Sequence, residues 1–588
     1  MVTKKSPFWE AFNSRDDLRQ YGVDALLLFA LQLKFGIEDI DLVASNCLTE
    51  GGEDKKADLI YIDSEAGCVV IAQTSIAQNI IGKDGKLKKA KANKASDLNT
   101  TIPWLLSQSI DKVPENLKTH AQELRRAISE GEIKDIHIWF VHNLLESDNV
   151  RTELEVVEQN TASTIKSHFS HDIRINIQAI EVGRNTLEGW YKGIQSPILV
   201  KDKFNIPISD GFEIEEKDWK SFVTAIPVAF LYGLYKKYGT DILSADIRDY
   251  LGSRKSDDNI NNGIKQTAKN DSGHFWVYNN GITVLVNKFT PLPKGKPQKI
   301  KINGFSIING AQTAGSVGSL SKPPEGNALV PVRFIICVNQ ETLRNIVKYN
   351  NTQNKMLGWD SRSNHSVQTR LINEFDKYFK ISYSPRRGGR EDAIRRGSDN
   401  IPSVIAGQAL AAFHGDPHVA YHEKTTMWVD DEKYIHYFND STNAKNIFFA
   451  LSLLKAVGDK KMFLWNKSNA NNLIGQENEQ FVFFRKRGSI IMMTSAIASC
   501  LEDILNIQIP NKFAPCFKKN LSLEAAIKMW HPIVNIASAF TEPLSNGLAD
   551  GFKAHEKVKK AIGDFRSLIK ATIVGSPKVF SDFQKHVN

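Results

Sequence analysis

The sequence predicts an α/β domain, then an α/β or α+β middle region, then a mostly α-helical C-terminal region. Three observations carry that reading. Strand-like and helix-like runs alternate up to about residue 200, the pattern of a sheet with helices packed on it. From there to about residue 400, β-prone apolar runs end in amide-rich turns, and beyond it long runs with helical spacing follow one another. Pro197 and Pro207 mark the first boundary, and the domains are read as residues 1–200, 201–400 and 401–588.

The elements follow in chain order. Residues 16–35 carry Leu18, Val23, Leu26, Leu27, Phe29, Ala30 and Leu33 at helical spacing. Residues 57–63 and 68–73 read as two strands joined by the turn Ser64-Glu65-Ala66-Gly67, with Asp58 entering the first and Gln73 leaving the second. Residues 135–142 and 172–180 are further strands around a helix over 151–170. His137 and His142 lie five residues apart, which puts them on opposite faces and reads as packing rather than a shared metal site. Helices are expected at 401–414, 445–457, 488–505 and 523–540. In the basic tail 554–571, Val558, Ile562, Phe565, Leu568 and Ile569 form one apolar face, suited to a partner or to docking within the chain.

Composition narrows the function classes. With 588 residues, 41% of them hydrophobic, the chain can bury several cores. It has no apolar run of about 18 residues, and Met1-Val2-Thr3-Lys4-Lys5-Ser6-Pro7 lacks a secretory apolar segment. A cytoplasmic protein without a membrane partner is expected. Cys47, Cys68, Cys337, Cys500 and Cys516 are scattered, which argues against a zinc site and a disulfide framework. No GxxxxGK[ST] phosphate loop is present. Lys and Arg number 75 against 66 Asp and Glu, a net charge of +9 that points toward nucleic acid. Lys83, Lys86, Lys88, Lys89, Lys91 and Lys94 crowd one stretch, and Arg386, Arg387, Arg390, Arg395 and Arg396 another. Lys88, Lys89 and Lys91 are the candidate nucleic-acid contacts.

The segment Ile307-Ile308-Asn309-Gly310-Ala311-Gln312-Thr313-Ala314-Gly315 runs from an apolar strand straight into small and amide-bearing residues. Asn309, Gln312 and Thr313 supply donors and acceptors, while the glycines let the backbone approach a ligand or simply make a tight turn. Upstream, two β-prone runs flank Asn279-Asn280-Gly281, a hairpin signal. Downstream, a strand over 332–338 and a helix over 343–349 lead into Asn350-Asn351-Thr352-Gln353-Asn354. In this order the three motifs resemble the AIPR family, named for abortive infection and phage resistance, whose elements look like NNGI, I-x-NG-x-QT and N-x-Q-N. The resemblance covers residues 241–375. Where the family often carries Asn-x-Arg, Asp246-Ile247-Arg248 keeps only the arginine. The chemistry of these loops suggests a ligand site drawing on Arg248, Asn279, Asn280, Asn309, Gln312, Thr313, Asn351, Gln353 and Arg386.

The first helix, the hairpin and the Asp…Gln-x-x pattern of residues 16–106 resemble the restriction-endonuclease-like core often fused to an AIPR region. Such a core uses carboxylates to hold a hard divalent cation and a lysine to offset charge on the phosphate. In members with Gln-x-Lys the lysine follows the glutamine by two residues, and here that position is Ser75. The resemblance implies Asp58 and Gln73 as catalytic residues, and Lys94, at the start of the next helix, is the candidate replacement for the missing lysine, since a side chain from a neighbouring element can fill the same spatial role. Asp58 with Glu50 or Glu53 would hold Mg²⁺ or Mn²⁺. The expected function is anti-phage defence by a metal-dependent nuclease under control of the central domain. The expected partners are DNA or RNA, a nucleotide or phage-derived trigger, and a second copy of the chain. A degenerate nuclease fold kept for nucleic-acid or nucleotide binding is the alternative.

Overall fold

The computed structural model describes residues 6–49, 55–170, 173, 175–195, 198, 200–243, 257–291, 298–324, 326–339, 341–343, 345–346, 350, 362–363, 365–385, 394, 400–548 and 551–588. Glu50, Glu53, Arg248, Asn351, Gln353 and Arg386 lie outside them. The chain forms two compact units. One comprises residues 1–10 and 185–356, the other residues 11–184 and 357–588.

In the second unit the chain enters through a 3-10 stretch, Asp16–Asp24, rather than the continuous helix expected. Gly22 breaks it with a φ of 55° and a ψ of −122°, a conformation that a residue without Cβ adopts at little cost. Helix α1 (Ala25–Phe35) follows and is buried nearly all round; the amide of Gln32 is satisfied by donating to Ile37 O and accepting from Arg15. Next come α2 (Ile40–Cys47), β1 (Leu59–Asp63), β2 (Cys68–Ser75), α3 (Ala92–Ser96), α4 (Leu98–Leu106), α5 (Glu115–Ser129), β3 (Asp135–His142), α6 (Asp148–His168) and β4 (Asn176–Val182). The sheet order is β1-β2-β3-β4. Strand β1 runs antiparallel to β2, and β2, β3 and β4 are parallel. Ile60, Val69, Ile71, Ile136, Ile138 and Phe140 pack on α4, α5 and α6 in one core. On the opposite face Phe35 of α1 meets Tyr61, His137 and Trp139.

The first unit holds β5 (Val200–Pro207), β6 (Phe212–Glu215), β7 (Trp219–Pro227), α7 (Val228–Tyr238), α8 (Phe275–Tyr278), β8 (Ile282–Leu285), β9 (Lys288–Pro291), β10 (Lys299–Asn309), α9 (Ala311–Gly318) and β11 (Leu329–Cys337). Its sheet runs β5-β10-β8-β11-β7-β6, with β9 also paired to β10. The run before Asn279 is the short helix α8 rather than the first strand of a hairpin. Trp276, Val277 and Tyr278 stay 45%, 68% and 67% exposed, so no sheet face recruits them.

After residue 357 the second unit resumes with α10 (Ser366–Phe379), the small pair β12 (Ser382–Ser384) and β13 (Asn400–Pro402), α11 (Ser403–His414), α12 (Pro417–His422), α13 (Thr426–Val429), α14 (Ala444–Asn469), α15 (Ser489–Ser499), α16 (Leu523–Ala537) and α17 (His555–Gly575). These helices share one apolar core. Val558, Phe565 and Ile569 of the basic tail are buried in it, while Leu568 is 39% exposed. The tail's stripe therefore docks within the chain. No helix among the described residues is long and apolar enough to cross a membrane, and all five cysteines are free thiols.

Candidate functional site

The first candidate site lies at the open end of the β1–β2 hairpin. The register ends with Leu59 opposite Ala72, and Asp58 and Gln73 are the residues that follow that pair at the open end of the hairpin. Two bonds extend the ladder there: Asp58 N–H donates to Ala72 O at 2.9 Å, and Thr74 N–H donates to Asp58 Oδ2 at 2.6 Å. The half-buried Asp58 carboxylate is therefore fixed by the neighbouring strand. Gln73 is 3% exposed, and its Oε1 has no hydrogen-bond partner among the described residues. An unpartnered buried acceptor costs roughly 1 to 3 kcal/mol, and oxygen donors are what a hard divalent cation accepts. Among the described residues no group of three or more His, Cys, Asp or Glu is placed to share a metal.

The same sheet end carries further polar groups. Ser75 pairs with His142 across β2 and β3, and Phe140 pairs with Glu181 across β3 and β4. His142 Nδ1 accepts from Leu144 N–H at 3.2 Å, so Nε2 carries the hydrogen and donates to Glu181 Oε1 at 2.9 Å. Glu181 Oε2 accepts from Ser147 N–H. Both ring nitrogens and both carboxylate oxygens are thus engaged, and the pair locks the strand ends. His142 and His137 do lie on opposite faces, yet His142 acts through this bond as well as through packing. The nearest sequence signal was Gly183, where a Cβ would stand 2.6 Å from the His142 ring.

Lys94 is exposed on α3, which packs beside β2 and α6. The lysine-rich segment leaves the end of β2 and forms a small turn closed by Gly82 N–H to Lys86 O, 2.7 Å. It is then stapled beside the end of β3, with Ala90 N–H donating to Leu145 O and Leu145 N–H to Lys88 O, both at 3.0 Å. Lys88 Nζ donates to Asn79 O at 2.9 Å. Lys83, Lys86, Lys88, Lys89, Lys91 and Lys94 are all exposed. The hairpin end, the strand ends and this basic segment therefore share one rim of the sheet.

The second cluster gathers where β8, β10 and β11 meet. Gly310 takes a φ of 104° between β10 and α9, and a Cβ there would lie 2.6 Å from Ile282. Asn279 Oδ1 accepts from Gly281 N–H at 2.9 Å, and the Asn279 amide meets Thr313 Oγ1 at 3.2 Å. Asn309 Nδ2 donates to Asn350 O at 2.8 Å. Arg333, which sequence reasoning passed over as a strand residue, donates to Thr283 Oγ1 and to Asn350 Oδ1 at 3.1 and 2.6 Å. Gln312 is half-buried and Asn280 exposed. The motif amides thus converge, and several of them hold one another.

This cluster lies inside a stretch that matches a family model. Residues 243–525 match the family model described as AIPR protein. The AIPR region so defined takes in the converging amides of the first unit and continues through α10 to α15 of the helical part, well past the residues whose motifs announced it. No curated protein and no solved structure matches the chain.

Proposed function

We propose that this chain is an antiviral defence protein of the abortive-infection type whose N-terminal α/β domain hydrolyses phosphodiester bonds. The AIPR match supports the defence role. The observation carrying the nuclease reading is the Asp58 carboxylate, held by Thr74 N–H, at the same hairpin end as Gln73, whose buried Oε1 has no hydrogen-bond partner among the described residues. Asp58 and Gln73 present oxygen donors suited to Mg²⁺ or Mn²⁺, with Glu50 or Glu53 as the further carboxylate. The bound cation would supply a Lewis acid and a water of lowered pKa. Thr74 N–H holds the Asp58 carboxylate in one rotamer. Lys94 offsets charge on the phosphate from the neighbouring helix, and Lys88, Lys89 and Lys91 hold the nucleic-acid backbone along the same rim. The AIPR amides, Asn309 and Gln312 among them, receive the nucleic-acid end, nucleotide or phage-derived molecule that releases the activity.

Ser75, standing where related cores carry the lysine, favours a second reading, a nuclease fold that binds nucleic acid without cutting it. One experiment separates the two. Cleavage of single- and double-stranded DNA and RNA is measured with Mg²⁺, Mn²⁺ or chelator for the wild type and Asp58→Asn, which keeps an acceptor for Thr74 N–H. Metal-dependent cleavage is expected from the wild type, with at least a hundredfold loss in the variant at unchanged melting temperature. Equal cleavage by Asp58→Asn would move the activity elsewhere, and binding without cleavage by the wild type would establish the second reading.

A further inference from the structure

Arg487 lies within the AIPR region, just before α15, and is 6% exposed. Its guanidinium touches four elements of the second unit at once. Nε donates to Glu123 Oε2 of α5 at 2.8 Å and to Tyr421 Oη of α12 at 2.9 Å. NH1 donates to Asn46 O at 2.9 Å and to Ile60 O at 3.0 Å. Asn46 belongs to the last turn of α2, whose carbonyls lack intrahelical partners and carry the negative end of the helix dipole. Ile60 belongs to β1, the edge strand of its sheet, where a single bridge from Leu48 to Leu59 and the bond from Thr49 N–H to Asp58 O cover the outer side before Ile60.

Both carbonyls lie near Asp58 along the chain: Asn46 is in the helix that precedes it, and Ile60 follows it by two residues. The helical part makes two more bonds to this region, one at Asn46 and one at the β1–β2 turn. Gly488 N–H donates to Asn46 Oδ1 at 2.9 Å. At the closed end of the hairpin, Glu65 accepts from Thr425 N–H at 2.8 Å and from Thr426 N–H and Oγ1, each at 2.9 Å. Strand β1 is thus fixed to its sheet on one side and to the helical part on the other.

We propose that the helical part of the AIPR region positions the nuclease-like site, with Arg487 as the positioning residue and Glu65 as the second tether of the same hairpin. The inference rests on the nuclease reading for its catalytic consequence and on the hydrogen bonds alone for its mechanical one. Arg487 holds the end of α2 and the start of β1 in register, so that the Asp58 carboxylate is presented at a fixed place on the rim. A change in the helical part then reaches the site through three hydrogen-bonded points rather than through the sheet core.

The full-length chain provides the test. Replacing a buried pair by apolar residues together leaves no charge unpaired, so Arg487→Met with Glu123→Met is the informative variant, and Glu65→Ala, at a partly exposed turn, is the second. Hydrogen exchange of residues 40–49 and 58–75 is followed beside kcat and KM for cleavage. The expected result in each variant is at least tenfold faster exchange in these segments, with exchange of β3 unchanged, and at least a tenfold lower kcat at nearly constant KM. Arg487→Lys, which keeps a donor, should recover part of both. Wild-type exchange in Glu65→Ala together with wild-type exchange in the double variant, or in Arg487→Lys should the double variant not fold, would overturn the proposal. If the nuclease reading itself fails, cleavage is insensitive to Asp58→Asn while the exchange arm still decides the tether.

Discussion

The imidazole of His137 lies on β3 between Phe35 and Trp139, with ring centroids 6.0 and 6.3 Å away. Burial, helped by the charge of Lys34, lowers its pKa from 6.5 to about 4. Because the folded value lies below the unfolded one, stability is complete above pH 6.5 and falls as the pH drops toward 4, where the unfolded chain binds a proton and the folded one does not. At 1.36 kcal/mol per pH unit the loss from this residue is roughly 3 kcal/mol. His120 and His414 are lowered by burial too and add in the same direction. Thermal unfolding followed by circular dichroism between pH 7.5 and 4.5 should therefore fall less steeply in His137→Leu than in the wild type; parallel curves would show that the ring titrates normally. The residues legible from sequence at this scale were those whose partners are near in the chain or across a hairpin, such as Asp58 and Gln73. Arg487 and Glu123, 364 positions apart, gave no local pattern to read.

The lysine-rich segment was legible as an element because charge density needs no tertiary information, whereas its staple to Leu145 was not. That staple places the charges on the rim beside Gln73 and Ser75, which makes a quantitative expectation for the element as a whole. Replacing Lys88, Lys89 and Lys91 by Gln should reduce the slope of log affinity against log salt by about 1 for each phosphate that is no longer neutralised, nearly independently of base sequence. Lys88 already donates to Asn79 O, so a reduction of about 2 is expected when binding to labelled DNA and RNA is titrated at several salt concentrations. An unchanged slope would show a solvated face. The element before Asn279 was misread for a physical reason. Phe275-Trp276-Val277-Tyr278 has the composition of a strand, but only Phe275 is buried, and Asn279 closes the turn onto Gly281 N–H instead of joining two strands. Composition records the propensity of such a run and not the neighbour that would have to pair with it.

At the scale of the whole molecule, one compact unit is built from two distant stretches, residues 11–184 and 357–588. A reading that runs along the chain recovers the order of α/β, mixed and helical regions, because hydrophobic periodicity is local. It does not reveal that the first and last of these pack together, because many of the groups that join them are single polar residues far apart in the chain. Arg487 with Glu123, Lys424 with Asp39 at 2.9 Å, Lys461 with Ser45 O, and Glu65 with Thr425 and Thr426 supply the joints. Burial alone would raise the carboxyl of Glu123, yet the Arg487 guanidinium outweighs it and the net shift is downward. The charged pair is therefore kept. Two separately expressed chains covering residues 11–184 and 357–588 should accordingly associate into a one-to-one complex on size-exclusion chromatography with light scattering. Arg487→Ala should weaken that complex at least a hundredfold, since an unpaired buried carboxylate costs about 3 to 5 kcal/mol. Separate elution of the wild-type pieces at micromolar concentration would mean that the joints do not suffice without residues 185–356 linking the two stretches.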